Sequence, residues 1–261
     1  MKFRDKVVLV TGGSTGIGRA MCLRFAREGA AVVVNYSKSK APAEEVAAEI
    51  KGAGGRALAI QADVSIDRQA RQLIATSVEQ FGRLDLLINN AGWTRFIPHD
   101  DLESLSDEIL ENTWGVIVKG PIHCIRAAVP HLKASGNASV INTTSIAAYT
   151  ARGSSLIYVA AKSALASMTK ALARALAPEI RVNAIAPGFF ITHQNRFLVM
   201  DEKTGNYSPR GQKIVDNTPM GKFGEPEDLQ GATLFLISDI SNFITGIVIP
   251  VDGGYSAFGG V

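Results

Sequence analysis

Short, almost uninterrupted apolar runs recur along the chain: KVVLVTGG, AAVVVNY, ALAIQADV, LDLLINNAG, ASVINTTS, IRVNAIAPG and GIVIPVDGG. Their β-branched content and lack of polar alternation predict seven strands buried on both faces, as in a parallel sheet. Between them, PAEEVAAEIKGAGG and DRQARQLIATSVEQFG space apolar residues three and four apart and stop at glycine, as amphipathic helices do. Alternating strand and helix gives right-handed βαβ crossovers, so the expected fold class is α/β, a doubly wound seven-stranded parallel sheet. Ligands of such sheets lie at the carboxyl ends of the strands.

The rhythm breaks once, at residues 189 to 225, a long polar excursion between the last two strands. Loops of that length are often active-site lids, although a surface decoration would read the same way. No linker, repeat or low-complexity tract divides the chain, so one domain is expected over 1–261.

Composition narrows the partners. Hydrophobic residues make up 46% and charged residues 20% of the 261, an ordinary balance for a globular protein with a substantial core. The formal charge of +3 carries no run of Lys/Arg, which argues against nucleic acid and membrane surfaces. Cys22 and Cys124 form no C-x-x-C and read as small buried hydrophobes, which fits a reducing cytoplasm. His99, His123, His131 and His193 show no ligand spacing, so no metal is expected.

Candidate chemistry begins directly after the first strand. Thr11-Gly12-Gly13-Ser14-Thr15-Gly16-Ile17-Gly18 leads into a helix. Glycines allow a tight turn and close approach to a pyrophosphate, and the helix N-terminus offers free N–H groups. An ordinary strand-to-helix turn is the alternative, and the position after an N-terminal strand favours the Rossmann-like reading. NAD enzymes place an acid at the end of strand two, but Val34-Asn35-Tyr36-Ser37-Lys38 has none. Ser37 and Lys38 could receive a 2′-phosphate, which favours NADP(H) over NAD(H), unless Lys38 is merely solvated. Asp63 and Val64 end strand three near where adenine would lie, and Asn90, Ala91 and Gly92 end strand four beside the cofactor path.

Tyr158 and Lys162 stand four apart in a helical stretch, on one face. A phenol ionises near 10, and a nearby ammonium favours its ionised form, so Lys162 would tune Tyr158 as an acid/base. Ser145 ends strand five, where its hydroxyl could hydrogen-bond a substrate oxygen as charge develops. The spacing alone is not distinctive, because Tyr36 also has a lysine, Lys40, four residues on. Only Tyr158 combines that spacing with a strand-terminal serine.

TGGSTGIG, NNAG, Ser145, Tyr158-V-A-A-Lys162 and Pro187-Gly188 together resemble the short-chain dehydrogenase/reductase family in its compact single-domain branch, over nearly the whole chain. The resemblance implies that Tyr158 is the acid/base, that Lys162 holds the nicotinamide ribose and lowers the phenol's pKa, and that Ser145 steadies the substrate. It further implies that Asn112, in ENTWGV, supports a proton relay, that Asn90 and Gly92 line the cofactor, and that Pro187, Gly188 and Thr192 border the nicotinamide. It also implies a homotetramer. Arg196, Lys203, Arg210, Lys213 and Lys222 lie in the excursion, against Asp201, Glu202 and Asp216, and Arg95 and Arg152, just after the NNAG and serine segments, could add positive charge near the pocket mouth; together they raise an anionic substrate, although loop charges are more often simply solvated. The segments NTPMGKFGEPEDL and VDGGYSAFGGV look like those of sugar-acid or polyol oxidoreductases. A 3-oxoacyl-thioester reductase and a non-catalytic cofactor-binding regulator are the competing readings.

Overall fold

A computed structural model describes residues 3–192, 196–202 and 204–257. All seven expected strands form: β1 Val7–Val10, β2 Ala31–Tyr36, β3 Arg56–Gln61, β4 Leu86–Asn89, β5 Ala138–Thr143, β6 Ile180–Pro187 and β7 Val248–Val251. They make one sheet in the order β3-β2-β1-β4-β5-β6-β7, and every pairing is parallel. The register aligns Val8 with Val32 on one side and with Leu86 on the other. The chain reverses direction across the sheet between β1 and β4, which opens a crevice beyond their carboxyl ends.

The helices are α1 Gly16–Arg27, α2 Lys40–Gly52, α3 Asp67–Phe81, α4 Asp107–Trp114, α5 Gly120–Ser135, α6 Ala147–Thr150, α7 Leu156–Leu176, α8 Arg196–Val199, α9 Pro209–Asp216 and α10 Asp228–Ile237. A π-helical turn, Gly115–Lys119, joins α4 to α5. Burial on both faces explains the continuous apolar runs. In β1, Val8 and Val10 enter one cluster with Phe25 of α1, Ile50 of α2 and Leu236 of α10. Val7 and Leu9 enter the other, with Leu73 of α3, Leu132 of α5 and Ala173 of α7. Each such Val or Leu contributes about 1.5–3 kcal/mol from leaving water.

The two cysteines lie in these layers. Burial pushes both thiols up, Cys124 to about 12, so both are inert at neutral pH. No described helix is long and apolar enough to cross a membrane.

Candidate active site

The glycine-rich turn occupies the crevice end of β1. Gly12 has φ +62° and Gly16 φ +52°, a region that side chains with a Cβ rarely enter. Gly18 is required by proximity, since a Cβ there would collide with the Gly12 carbonyl and lie 2.7 Å from Asn90 Nδ2. Thr15 caps α1 in an extended conformation, and its side chain makes no cap hydrogen bond, so the first N–H groups of a 12-residue helix face the crevice. Ser14 is buried, and Ile17 packs on the core beneath. The cradle therefore fits a dinucleotide pyrophosphate: backbone donors, a helix N-terminus and no Cβ in the way.

Neighbouring strand ends brace this turn. Asn90 Nδ2 donates to the carbonyls of Thr11 and Gly12 at 3.1 and 3.2 Å, and the Asn90 and Ala91 N–H groups donate to Thr11 Oγ1. Asn35 accepts from the Gly12 N–H at 3.3 Å and donates to the Ala62 carbonyl at 3.0 Å, tying β2 and β3 to the cradle. Asp63 accepts from the N–H and hydroxyl of Ser65, Val64 is buried and Gly92 is exposed. At the far side, the Gly188 N–H donates to the Val251 carbonyl and Pro187 accepts from Ile146. A Cβ on Gly16 would stand 3.4 Å from Thr192 Cγ2, so Thr192 closes over the glycine turn.

The end of β2 divides the residues expected there. Ser37 and Lys38 are exposed beyond the strand, with no carboxylate between Val34 and Lys38. Tyr36 is not aimed at a ligand: its ring is buried in the α1/α2 core cluster. Lys40 forms a surface pair with Glu44 at 3.8 Å, so Tyr36 and Lys40 make no acid/base couple.

Ser145 lies just past β5, and its Oγ accepts from the Ala147 N–H at 3.1 Å. Ser155 caps α7 by accepting from the Tyr158 N–H at 3.3 Å, which fixes where the helix starts and therefore where Tyr158 and Lys162 point. The Ser145 side chain lies close enough to the Tyr158 phenol to favour its ionised form. Lys162 is buried, and its Nζ donates to the Thr143 carbonyl at 2.7 Å, 5.7 Å from the centre of the Tyr158 ring. Behind them, Asn89 of β4 donates to Asn142 of β5, which donates to Thr169 of α7, both at 2.9 Å. This buried chain sets the helix against the sheet.

The electrostatics differ from the expectation. Burial pushes the Tyr158 phenol above its ordinary value, and the Ser145 side chain offsets part of the rise. Lys162 does not pull it down; burial lowers the lysine itself to about 8, and its proton is aimed at the Thr143 carbonyl.

Asn112 is a second correction. It sits exposed on α4 and its side chain hydrogen-bonds none of the described residues. The side chains that cluster with Tyr158, Ala161 and Leu165 come from the π turn that follows, Ile117, fully buried, and Val118. Apolar side chains thus share the Tyr158 cluster where a relay amide was expected. Interior glycines were the available signal: Gly115 and Gly120 press on Ser65 and Val64, which turns the opposite face, with Ile117, toward α7.

The excursion carries α8 and α9. Arg210 and Lys213 of α9 line a cavity of about 320 Å³ together with Arg152, while Arg95, Arg196 and Lys222 do not. His193, Gln194 and Lys203 lie outside the described residues. His99 and Tyr255 also line the cavity, and no motif or spacing marks either for that place. Among the described residues, no group of three His, Cys, Asp or Glu could hold a metal ion.

A doubly wound sheet with this cradle at its switch point defines a Rossmann-type oxidoreductase. A protein family described as enoyl-(acyl carrier protein) reductase matches residues 12–256. A ketoacyl reductase assigned to the granaticin polyketide synthase of Streptomyces violaceoruber is 40% identical over 248 residues, 95% of each chain. Two solved structures are 32% identical: a short-chain dehydrogenase from Burkholderia cenocepacia in complex with NADP, and a candidate D-mannonate oxidoreductase from Haemophilus influenza with bound NAD. The first has a TM-score of 0.87 over 98% of this chain and 99% of its own, the second 0.91 over 100% and 98%. The chain belongs to the short-chain dehydrogenase/reductase family.

Proposed function

We propose that the protein interconverts a carbonyl and a secondary alcohol of a sugar acid or polyol, using NADP(H) in preference to NAD(H). The observation that carries the reading is the Ser145 side chain set close enough to the Tyr158 phenol to favour its ionised form, with Lys162 four residues on and the glycine cradle at the carboxyl end of the same sheet. When bound, the nicotinamide supplies or accepts the hydride. Residues 12–18, Asn90 to Gly92, Asp63, Val64, Pro187, Gly188 and Thr192 would hold the cofactor, with Lys162 on the ribose. In reduction, the substrate oxygen takes the Tyr158 proton while Ser145 donates a hydrogen bond to it. Burial keeps the phenol protonated at neutral pH, the form that gives up a proton. The NADP preference is supported by the missing carboxylate after β2 and by exposed Ser37 and Lys38.

The chain works as one cytoplasmic domain with residues 189–225 as its lid. It assembles as a homotetramer, for which exposed Ile240, Phe243 and Ile247 beside the β7 edge supply apolar surface. A 3-oxoacyl-thioester reductase is the second reading, favoured by the ketoacyl reductase relative. Following reduced-nicotinamide absorbance with sugar acids, polyols and an acetoacetyl thioester separates the two. Tyr158→Phe is expected to lower kcat by about a hundredfold or more. Undiminished turnover would refute the acid/base assignment and revive a non-catalytic, cofactor-binding role.

A further inference from the structure

The cavity beside the catalytic helix is walled by the loop after β4, the loop after β5, α9 and the turn at Tyr255. It adjoins the catalytic helix through its wall residue Gly153, which packs on the Tyr158 ring: a Cβ there would lie 3.1 Å from Tyr158 Cδ1. Its charge is one-sided. Among the described residues Arg152, Arg210 and Lys213 line it, and no Asp or Glu does. None of the three forms an ion pair among the described residues.

Solvated surface cations are common, but these are positioned. The Arg210 guanidinium lies 4.6 Å from the centre of the Phe96 ring, and Arg152 Nη1 donates to the Tyr255 hydroxyl at 3.5 Å. His99, also on the wall, has a buried Nε2 with no hydrogen-bond partner. Arginine and lysine carry donors and no acceptors, so the cavity asks for a ligand rich in acceptors. Two guanidinium forks match an oxyanion. At about 320 Å³ the space lies at the small end of ligand pockets, suited to a compact molecule rather than a long acyl chain.

We infer that the substrate is a small hydroxy acid and its oxo-acid partner, whose carboxylate is held by Arg152, Arg210 and Lys213 while its carbinol or carbonyl carbon faces Tyr158. This rests on the assignment of Tyr158 as the acid/base. It selects the acid over the polyol and turns the basic face of α9 into the specificity element.

Titration calorimetry on the NADP⁺-saturated protein tests it with malonate, L-malate and D-mannonate, and with D-mannitol and D-mannitol 1-phosphate as neutral and phosphate-headed controls. At least one carboxylate is expected to bind in the millimolar range or tighter, and mannitol not to bind. Combining Arg152→Gln, Arg210→Gln and Lys213→Gln is expected to weaken carboxylate binding by about tenfold or more, with NADP⁺ affinity unchanged as the control for folding. Lys213→Gln alone, an exposed site, gives a smaller loss in the same direction. The inference is overturned if no carboxylate binds, if mannitol binds as well as mannonate, if the phosphate ester is preferred, or if the variants bind carboxylates normally. Variant-sensitive binding of an acidic acyl carrier protein with no carboxylate binding also overturns it, making the cations a protein-docking surface. Tyr158→Phe separates the two assignments: it is expected to abolish turnover and leave carboxylate binding intact, so its failure touches only the acid/base role.

Discussion

Replacing Lys162 by methionine separates the energetic and functional roles of one buried charge. The fall of the ammonium from its ordinary 10.5 to about 8 corresponds to roughly 3 kcal/mol held against the charged form at neutral pH. Its 2.7 Å hydrogen bond to the Thr143 carbonyl is open to the neutral amine as well as to the ammonium and contributes about 0.5–1.5 kcal/mol in either state. Methionine removes both, so the variant should unfold within about 1–2 kcal/mol of the parent at pH 7. Its kcat should nevertheless fall by about a hundredfold or more, because a positioned donor is gone. The pH dependence gives the sharper signature. Between about 8 and 10.5 the unfolded chain still binds the Lys162 proton that the folded protein has released, so folding stability gains as pH rises through that window. Relative to Lys162→Met, the parent should become more stable by up to roughly 3 kcal/mol over it. Urea unfolding midpoints of both proteins from pH 7 to 10 measure this, and steady-state turnover runs beside it. Parallel stability curves, or a variant with full turnover, would refute the reasoning.

Asn112→Ala should change kcat/KM by less than about twofold, since its amide is exposed and away from Tyr158; a hundredfold loss in the same assay would restore it to the proton path. Gly18→Ala puts a methyl group against the Gly12 carbonyl and Asn90, so cofactor affinity by fluorescence titration should drop about tenfold or more, and an unchanged affinity would mean the cradle is not the pyrophosphate site.

The sheet was legible because each strand is buried on both faces and therefore apolar at nearly every position, as the split of Val7 and Val8 between two cores shows. Tyr158 and Lys162 were legible because helical spacing is a local property, and the Ser155 cap preserves it. Asn112 misled because a match to a family motif does not fix the face a side chain takes, and across the π turn at Gly115–Lys119 the buried side of the segment falls at Ile117 while Asn112 is exposed. Tyr36 misled for another reason: a strand-end position does not reveal to which side the ring turns, and here the core claimed it. The cations Arg152, Arg210 and Lys213 could be named from the sequence, but which of the basic residues share one cavity could not, because Arg152 and Arg210 are 58 residues apart and converge only through the tertiary fold.

The chain of amides from Asn89 through Asn142 to Thr169 works as a locating pin. An apolar contact such as Ile117 against Leu165 tolerates sliding or rotation of a helix, whereas a donor–acceptor sequence closes at only one setting. A rotation of α7 by one residue, about 100°, would carry Tyr158 away from Ser145 and leave buried amides unsatisfied at the same time. The chemistry is therefore indexed from inside the sheet, while the cations of α9 are mounted on a segment that none of those hydrogen bonds reaches. On the proposed assignments, substitutions on α9 are expected to retune which molecule is accepted without detuning the proton transfer beneath it.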